Sequence, residues 1–216
     1  MFGNREVMDF TEKDIDDILA KIFAGEITVY QLPTKLFDAT VDRLTSAIIN
    51  GFGGASTAFE IGLPENVLMT YFEHNIGVFS AAKTFHQVNE MSAALIVDGQ
   101  RQSFEVFQET ARKIFDQFND NWLRTEYNTA FRQAQSGRRW LDVERNADAL
   151  PLLQFVTVGD ERVRDDHAEL DGVIQPFDSE FWDVYFPPVG WNCRCAVEQL
   201  ADGEVTDVGS RNIEPP

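Results

Sequence analysis

Three side chains in the C-terminal third are of the types that bind transition metals or pair as nucleophile and base: His167, Cys193 and Cys195. The two cysteines are the whole complement of the chain and stand one residue apart. Two cysteines make no disulfide framework, and a bridge between such close neighbours would be a strained small ring. In a strand over 193–199 both sulfurs would project from one face, which suits a shared ligand or a shared apolar pocket. Zinc takes thiolate and imidazole ligands and usually four of them. The chain supplies three, and the fourth would be a carboxylate such as Asp160 or Asp166, or a water. The competing arrangement buries the cysteines as apolar residues and hydrogen-bonds His167 to backbone within a turn-rich fold.

The same neighbourhood admits an enzymatic reading. Asp160, Glu161, Asp165, Asp166, Glu169 and Asp171 cluster around His167 in sequence. A metal-dependent hydrolase or nuclease would use such groups for metal binding or general-base work. Cys193 with His167 is in principle a nucleophile with its base, although a second cysteine two residues on suits a ligand or packing role better. Acidic residues are frequent throughout, 36 in all, so a local cluster carries little weight. No Gly-x-Ser-x-Gly and no His-Glu-x-x-His occurs. The expectation is a chain without catalytic residues, with the hydrolase or nuclease as the alternative.

The chemistry-bearing residues belong to an ordered set. Thr157-Val158-Gly159-Asp160-Glu161-Arg162-Val163-Arg164 is followed by His167-Ala168-Glu169-Leu170-Asp171-Gly172 and then Phe181-Trp182-Asp183. Pro187-Pro188-Val189-Gly190-Trp191-Asn192-Cys193-Arg194-Cys195 closes it. This set resembles the C-terminal domain of the phage Mu F-like head-morphogenesis family, the minor capsid proteins of tailed phages. Upstream, Arg124-Thr125-Glu126 resembles an Arg-Thr-Glu element in the family's preceding helix, so the resemblance covers about residues 120–200. Residues 1 to about 120 show no recognisable motif. The resemblance implies motif roles for Arg124, Glu126, Asp160, Arg162, Asp171, Gly172, Trp182, Pro188 and Trp191. It implies a non-catalytic minor head protein of a phage or prophage, associated with the portal inside the procapsid. Its partners would be the portal and other capsid proteins. It would occupy the host cytoplasm during assembly and then the virion interior.

Composition sets outer bounds. The chain has 18 Lys+Arg against 36 Asp+Glu, a formal net charge of −18. Such a surface repels phosphate backbones, so direct duplex DNA binding is not expected. It suits a basic protein partner, or serves solubility alone. A 44% hydrophobic content with 18 phenylalanines favours a packed interior over disorder. No apolar run approaches the ~20 residues of a membrane span, and the first residues lack a signal-peptide core. The expectation is a cytoplasmic product with no membrane partner.

The elements that must position these groups read as α+β: a mainly helical region over 1–150, a small turn-rich module over 151–200 and a polar tail over 201–216. Thr11 caps a helix to residue 24 that buries Ile15, Ile18, Leu19, Ile22 and Phe23 and stops at Gly25. A second helix runs from Pro33 to Asn50 and stops at Gly51, with Leu36, Phe37, Val41, Leu44 and Ile48 inward. The Gly51–Ser56 stretch reads as a connector rather than a phosphate cradle, because no Gly-Lys-Ser/Thr follows. Pro64 opens a helical region to about Val97 with a break near Asn75-Ile76-Gly77, carrying His74 and His86 as solvated or core-edge residues. Ser103 caps the longest helix, to about Gln135, with Ser136-Gly137 as its stop and a short connector over 140–150. Arg124 and Glu126 point in different directions on it, and one of them could tie it to the C-terminal module. Strands are expected over 152–158, 173–175 and 195–200, with a short helix from Asp165 closed by Gly172 and a turn capped by Asp178. The tail reads as extended or mobile.

Overall fold

The computed structural model describes residues 10–28, 30–54, 62–211 and 213. The fold is α+β. The described chain divides into two compact units: residues up to Ala47 with Met69–Tyr127, and Ile48–Leu68 with Asn128 onward. Among the described residues, no helix is long and apolar enough to cross a membrane.

In the first unit, α1 spans Glu12–Ala24. Thr11 and Asp14 form a reciprocal capping box: Thr11 Oγ1 accepts from the Asp14 N–H, and Asp14 Oδ2 accepts from the Thr11 N–H at 3.0 Å. Gly25 ends the helix in the left-handed region at φ 77°. The stripe of Ile15, Ile18, Leu19 and Ile22 packs with Leu36, Val88, Met91, Phe107, Ala111 and Phe115 to make the core of this unit.

Helix α2 spans Thr34–Phe52, with Leu36, Thr40, Leu44, Ala47 and Ile48 buried and Phe37 and Val41 only half-buried. Gly51 does not stop it. The glycine lies inside the helix, where any Cβ would collide with the Phe131 carbonyl oxygen. The stop falls at Gly53 and Gly54, both with positive φ. Ala55 and Ser56 lie outside the described residues.

Helix α3, Pro64–Ala93, is continuous through Asn75-Ile76-Gly77. Its buried stripe runs through Ile76, Ser80, Lys83, Thr84, Gln87, Val88 and Met91. Four of those seven are polar, and Tyr71, Val78 and Phe85 face solvent. A helix that hides polar groups and shows aromatics inverts the usual amphipathic pattern, so its polar residues masked its continuity. It ends before Ile96-Val97, which is not helical. These residues form β1 (Ile96–Val97), which pairs antiparallel with β2 (Gln100–Arg101). Asp98 and Gly99 both take positive φ in a two-residue hairpin turn.

Ser103 caps α4, Phe104–Asp116, through a bond from Val106 N–H. The helical path continues as a π-helical segment, Gln117–Trp122, and as α5, Leu123–Asn146. Ser136-Gly137 stops nothing, and most of the expected connector is helix. The wider π turn shifts the phase of the buried stripe. Phe107, Ala111 and Phe115 point in before it, Phe118 and Asn119 within it and Leu123, Glu126 and Ala130 after it, while Trp122 turns to solvent.

The second unit carries a three-stranded antiparallel sheet, order β4-β3-β5. β3 is Leu152–Val156, β4 is Ile174–Pro176 and β5 is Ala196–Leu200. Phe155 pairs with Val197, and Gln154 with Ile174. Alternation along β3 sends Leu153 and Phe155 into a core with Val143, Leu170, Val173, Phe181, Trp182 and Val197. Two short helices complete it, α6 (Asp165–Ala168) and α7 (Phe181–Tyr185). Asp178 does not cap α7, which has no side-chain cap; Ser179 Oγ accepts from Phe181 N–H in the turn that leads into it.

The polar tail does not hang free as far as it is described. Thr206 N–H donates to the Ile174 carbonyl at 2.9 Å, and Thr206 Oγ1 accepts from Ile174 N–H at 3.0 Å. Val208 and Ile213 pack on the core of the unit.

Candidate functional site

The loop between β3 and α6 delivers His167. Asp160 Oδ1 accepts the Arg162 N–H at 3.1 Å, a local turn of the kind aspartate favours. Asp160 also clamps Arg194 in a two-pronged pair, both contacts 2.6 Å. The Arg194 guanidinium is the main reason the Asp160 carboxyl titrates at about 2. Arg164 precedes α6 in extended backbone, and Leu170, 3% exposed, anchors the far end of that turn in the core. Gly172 reverses the chain at φ 74° and donates to the Phe155 carbonyl at 2.8 Å. Asp171 Oδ1 accepts from both Thr157 N–H (2.7 Å) and Thr157 Oγ1 (3.0 Å). The turn carrying His167 is thereby stapled to the end of β3.

The loop before β5 delivers the cysteines. Trp182, buried, ties α7 to β4 by donating Nε1–H to the Pro176 carbonyl at 2.8 Å. Pro187-Pro188 is a cis bond. Trp191 is exposed, and its carbonyl accepts from Arg164 Nη1 at 3.1 Å. Asn192 takes a left-handed conformation, φ 55°. Its N–H donates to Thr129 Oγ1 of α5 at 3.1 Å, and Cys193 N–H donates to the Gly190 carbonyl at 3.2 Å. Residues 193–195 are not strand. The turn brings the sulfurs together all the same.

His167 Nδ1 lies 3.7 Å from Cys193 Sγ and 3.5 Å from Cys195 Sγ. The three ligand atoms all lie within 4.8 Å of one another. His167 is 5% exposed and Cys193 4%. Arg164 Nη2 stands 2.7 Å from His167 Nε2. A guanidinium is a permanent donor, so Nε2 accepts and the ring proton sits on Nδ1, facing the sulfurs. Burial first, and then the Arg164 charge, push the His167 pKa down. Burial and the neighbouring Cys193 push the Cys195 thiol up to about 12. Beside the cluster is an open cavity of about 40 Å3, lined among others by Val158, Arg162, Val163 and Arg194.

Neither expected carboxylate joins the three. Asp160 is committed to Arg194, and Asp166 sits behind the ring, its Oδ2 3.9 Å from Nε2. Glu161, Asp165, Glu169 and Asp171 are exposed. The charged side chains closest to His167 are Arg164 and Asp166.

The Arg124–Glu126 element divides as its spacing requires. Arg124 is exposed. Glu126 is buried within the first unit and forms an ion pair with Lys83 of α3, whose Nζ also donates to the Phe118 carbonyl at 2.7 Å. It therefore does not tie its helix to the C-terminal module. Asn128 and Thr129 hold Asn192 instead. Sequence reasoning missed Lys83, Thr129, Arg164 and Asn192. Lys83 left a trace as a charge in register with the buried stripe of α3, and Arg164 and Asn192 stood inside the ordered motif without an assigned role.

Residues 81–198, more than half of the chain, match the family described as Phage Mu protein F like protein. The match begins well before residue 120 and takes in Lys83. The chain is 38% identical over 87 residues to the putative capsid assembly protein F of Escherichia phage Mu. It is 37% identical over 87 residues to the Mu-like prophage FluMu F protein of Haemophilus influenzae. Each alignment covers 40% of this chain and 20% of the relative's length. No solved structure matches it. The ordered motifs and the extent of the match together show that the chain belongs to the phage Mu F-like family.

Proposed function

We propose that this chain is a minor head protein of a phage or prophage, non-catalytic, that associates with the portal inside the procapsid during head morphogenesis. The observation that carries the reading is the family match over residues 81–198, together with the capsid-assembly name of the phage Mu relative. The helical part supplies a surface suited to a partner. Tyr71, Val78 and Phe85 are exposed and recur every seven residues, so they line one stripe of α3. The site around His167 supports a structural role, because the acidic groups of a hydrolase point outward there. On this reading the protein works in the host cytoplasm during assembly and ends in the virion interior.

Co-expression of the full chain with the cognate portal protein, followed by capture of the portal, tests this. The chain is expected to be retained, and Tyr71→Asp with Phe85→Asp to weaken retention. Absence of association with portal or procapsid in every assembly state would remove the reading.

A further inference from the structure

We propose that His167 Nδ1, Cys193 Sγ and Cys195 Sγ bind one zinc ion, with a solvent water as the fourth ligand. This inference does not depend on the head-assembly reading, since it stands on the geometry of the module alone.

The nitrogen-to-sulfur spacing fits a tetrahedral centre. Zinc–sulfur bonds of about 2.3 Å and zinc–nitrogen bonds of about 2.0 Å at tetrahedral angles place N and S ligand atoms about 3.5 Å apart. The two nitrogen-to-sulfur separations are 3.5 and 3.7 Å. Two thiolates and one imidazole are soft and borderline donors, which select zinc over magnesium or calcium. Two thiolates also neutralise the dication, so the loaded site adds no net charge to a buried corner. A disulfide is the poorer use of these sulfurs, because the residues are one apart.

The space beside the cluster decides the fourth ligand. No carboxylate of the described residues completes the set. The adjoining cavity, about 40 Å3, exceeds the roughly 10–15 Å3 a water needs. Three protein ligands and a water make a site with one open position.

Binding changes the outer contacts of His167. An imidazole that gives Nδ1 to a metal carries its proton on Nε2. Arg164 Nη2, now 2.7 Å from Nε2, would then face another donor and must leave. The acceptor at hand is Asp166, whose Oδ2 is 3.9 Å away. A carboxylate on the far nitrogen fixes the tautomer and strengthens the ligand. Asp166 is therefore a positioning residue for the metal and not a ligand.

The experiment uses the untagged full chain, purified without added metal or chelator, with metals measured by elemental analysis. One zinc per chain is expected, lost in Cys193→Ser and in His167→Ala. Should those variants fail to fold, wild-type protein stripped under reducing conditions and refilled with cobalt gives an independent readout. It should show the intense visible spectrum of tetrahedral thiolate-bound cobalt. Asp166→Asn should stay folded, keep the tetrahedral cobalt spectrum and lose about 10–100-fold in zinc affinity by chelator competition. Metal-free wild-type protein that gives no tetrahedral cobalt spectrum overturns the proposal. Stoichiometric iron or copper in place of zinc overturns the choice of metal. An unchanged zinc affinity in Asp166→Asn overturns the role of that residue.

Discussion

Lys83 of α3 and Glu126 of α5 meet in an ion pair whose side chains are only 3% and 10% exposed. Burial pushes the Lys83 pKa down and the Glu126 pKa up, each against the pull of the other. Lys83 Nζ also caps the Phe118 carbonyl, in the π-helical segment where the regular helix ladder is interrupted. The pair thus sits where α4 gives way to α5.

Removing one partner leaves an uncompensated buried charge. Lys83→Met or Glu126→Leu alone should destabilise the chain by about 3–5 kcal/mol. The double variant should lose much less, because two apolar side chains replace two desolvated charges. Urea unfolding of all four proteins gives the cycle. Single costs that simply add in the double variant would show that the pair is not coupled.

Two helical glycines should respond with opposite signs. Gly51→Ala forces a Cβ into the Phe131 carbonyl and should cost about 1–3 kcal/mol as overpacking. Gly77→Ala meets nothing within 4 Å and should gain about 0.5–1 kcal/mol from helix propensity and a stiffer unfolded chain. Thermal melts compare both with wild type. The same sign for both would contradict the described packing of α2.

Nucleic acid should be a poor ligand. With a net charge of −18, purified protein should not shift duplex DNA at physiological salt. Arg132 and Arg139 line one groove, but Glu198 lines it too. Tight binding that falls steeply with salt would show that a local basic patch overrides the overall field.

The fold was legible where local and global preferences agree. In α1 the capping residue Thr11, the apolar stripe and Gly25 all point to one helix, and the chain forms it. The sheet strands were readable for the same reason. Packing decided the rest. Asn75-Ile76-Gly77 and Ser136-Gly137 are breaking signals on paper, yet Ile76 is buried in α3 and the α5 helix passes through Gly137. The π segment hid itself by slipping the phase of the apolar repeat. Asp98-Gly99 did carry a hairpin signal, between runs too short to read as strands. At the site, residue type alone grouped His167, Cys193 and Cys195. Arg164 behind the ring and Asn192 in its left-handed turn were not readable, since their partners are set by tertiary contacts.

A place in the phage head is the central expectation for this chain. The most direct measurement is the protein content of procapsids purified from cells in which assembly proceeds with its own portal, by quantitative mass spectrometry. This chain should be present at a low, fixed copy number relative to the major capsid protein and absent from procapsids assembled without the portal. Procapsids and mature heads that contain none of it, from cells that express it, would contradict the account.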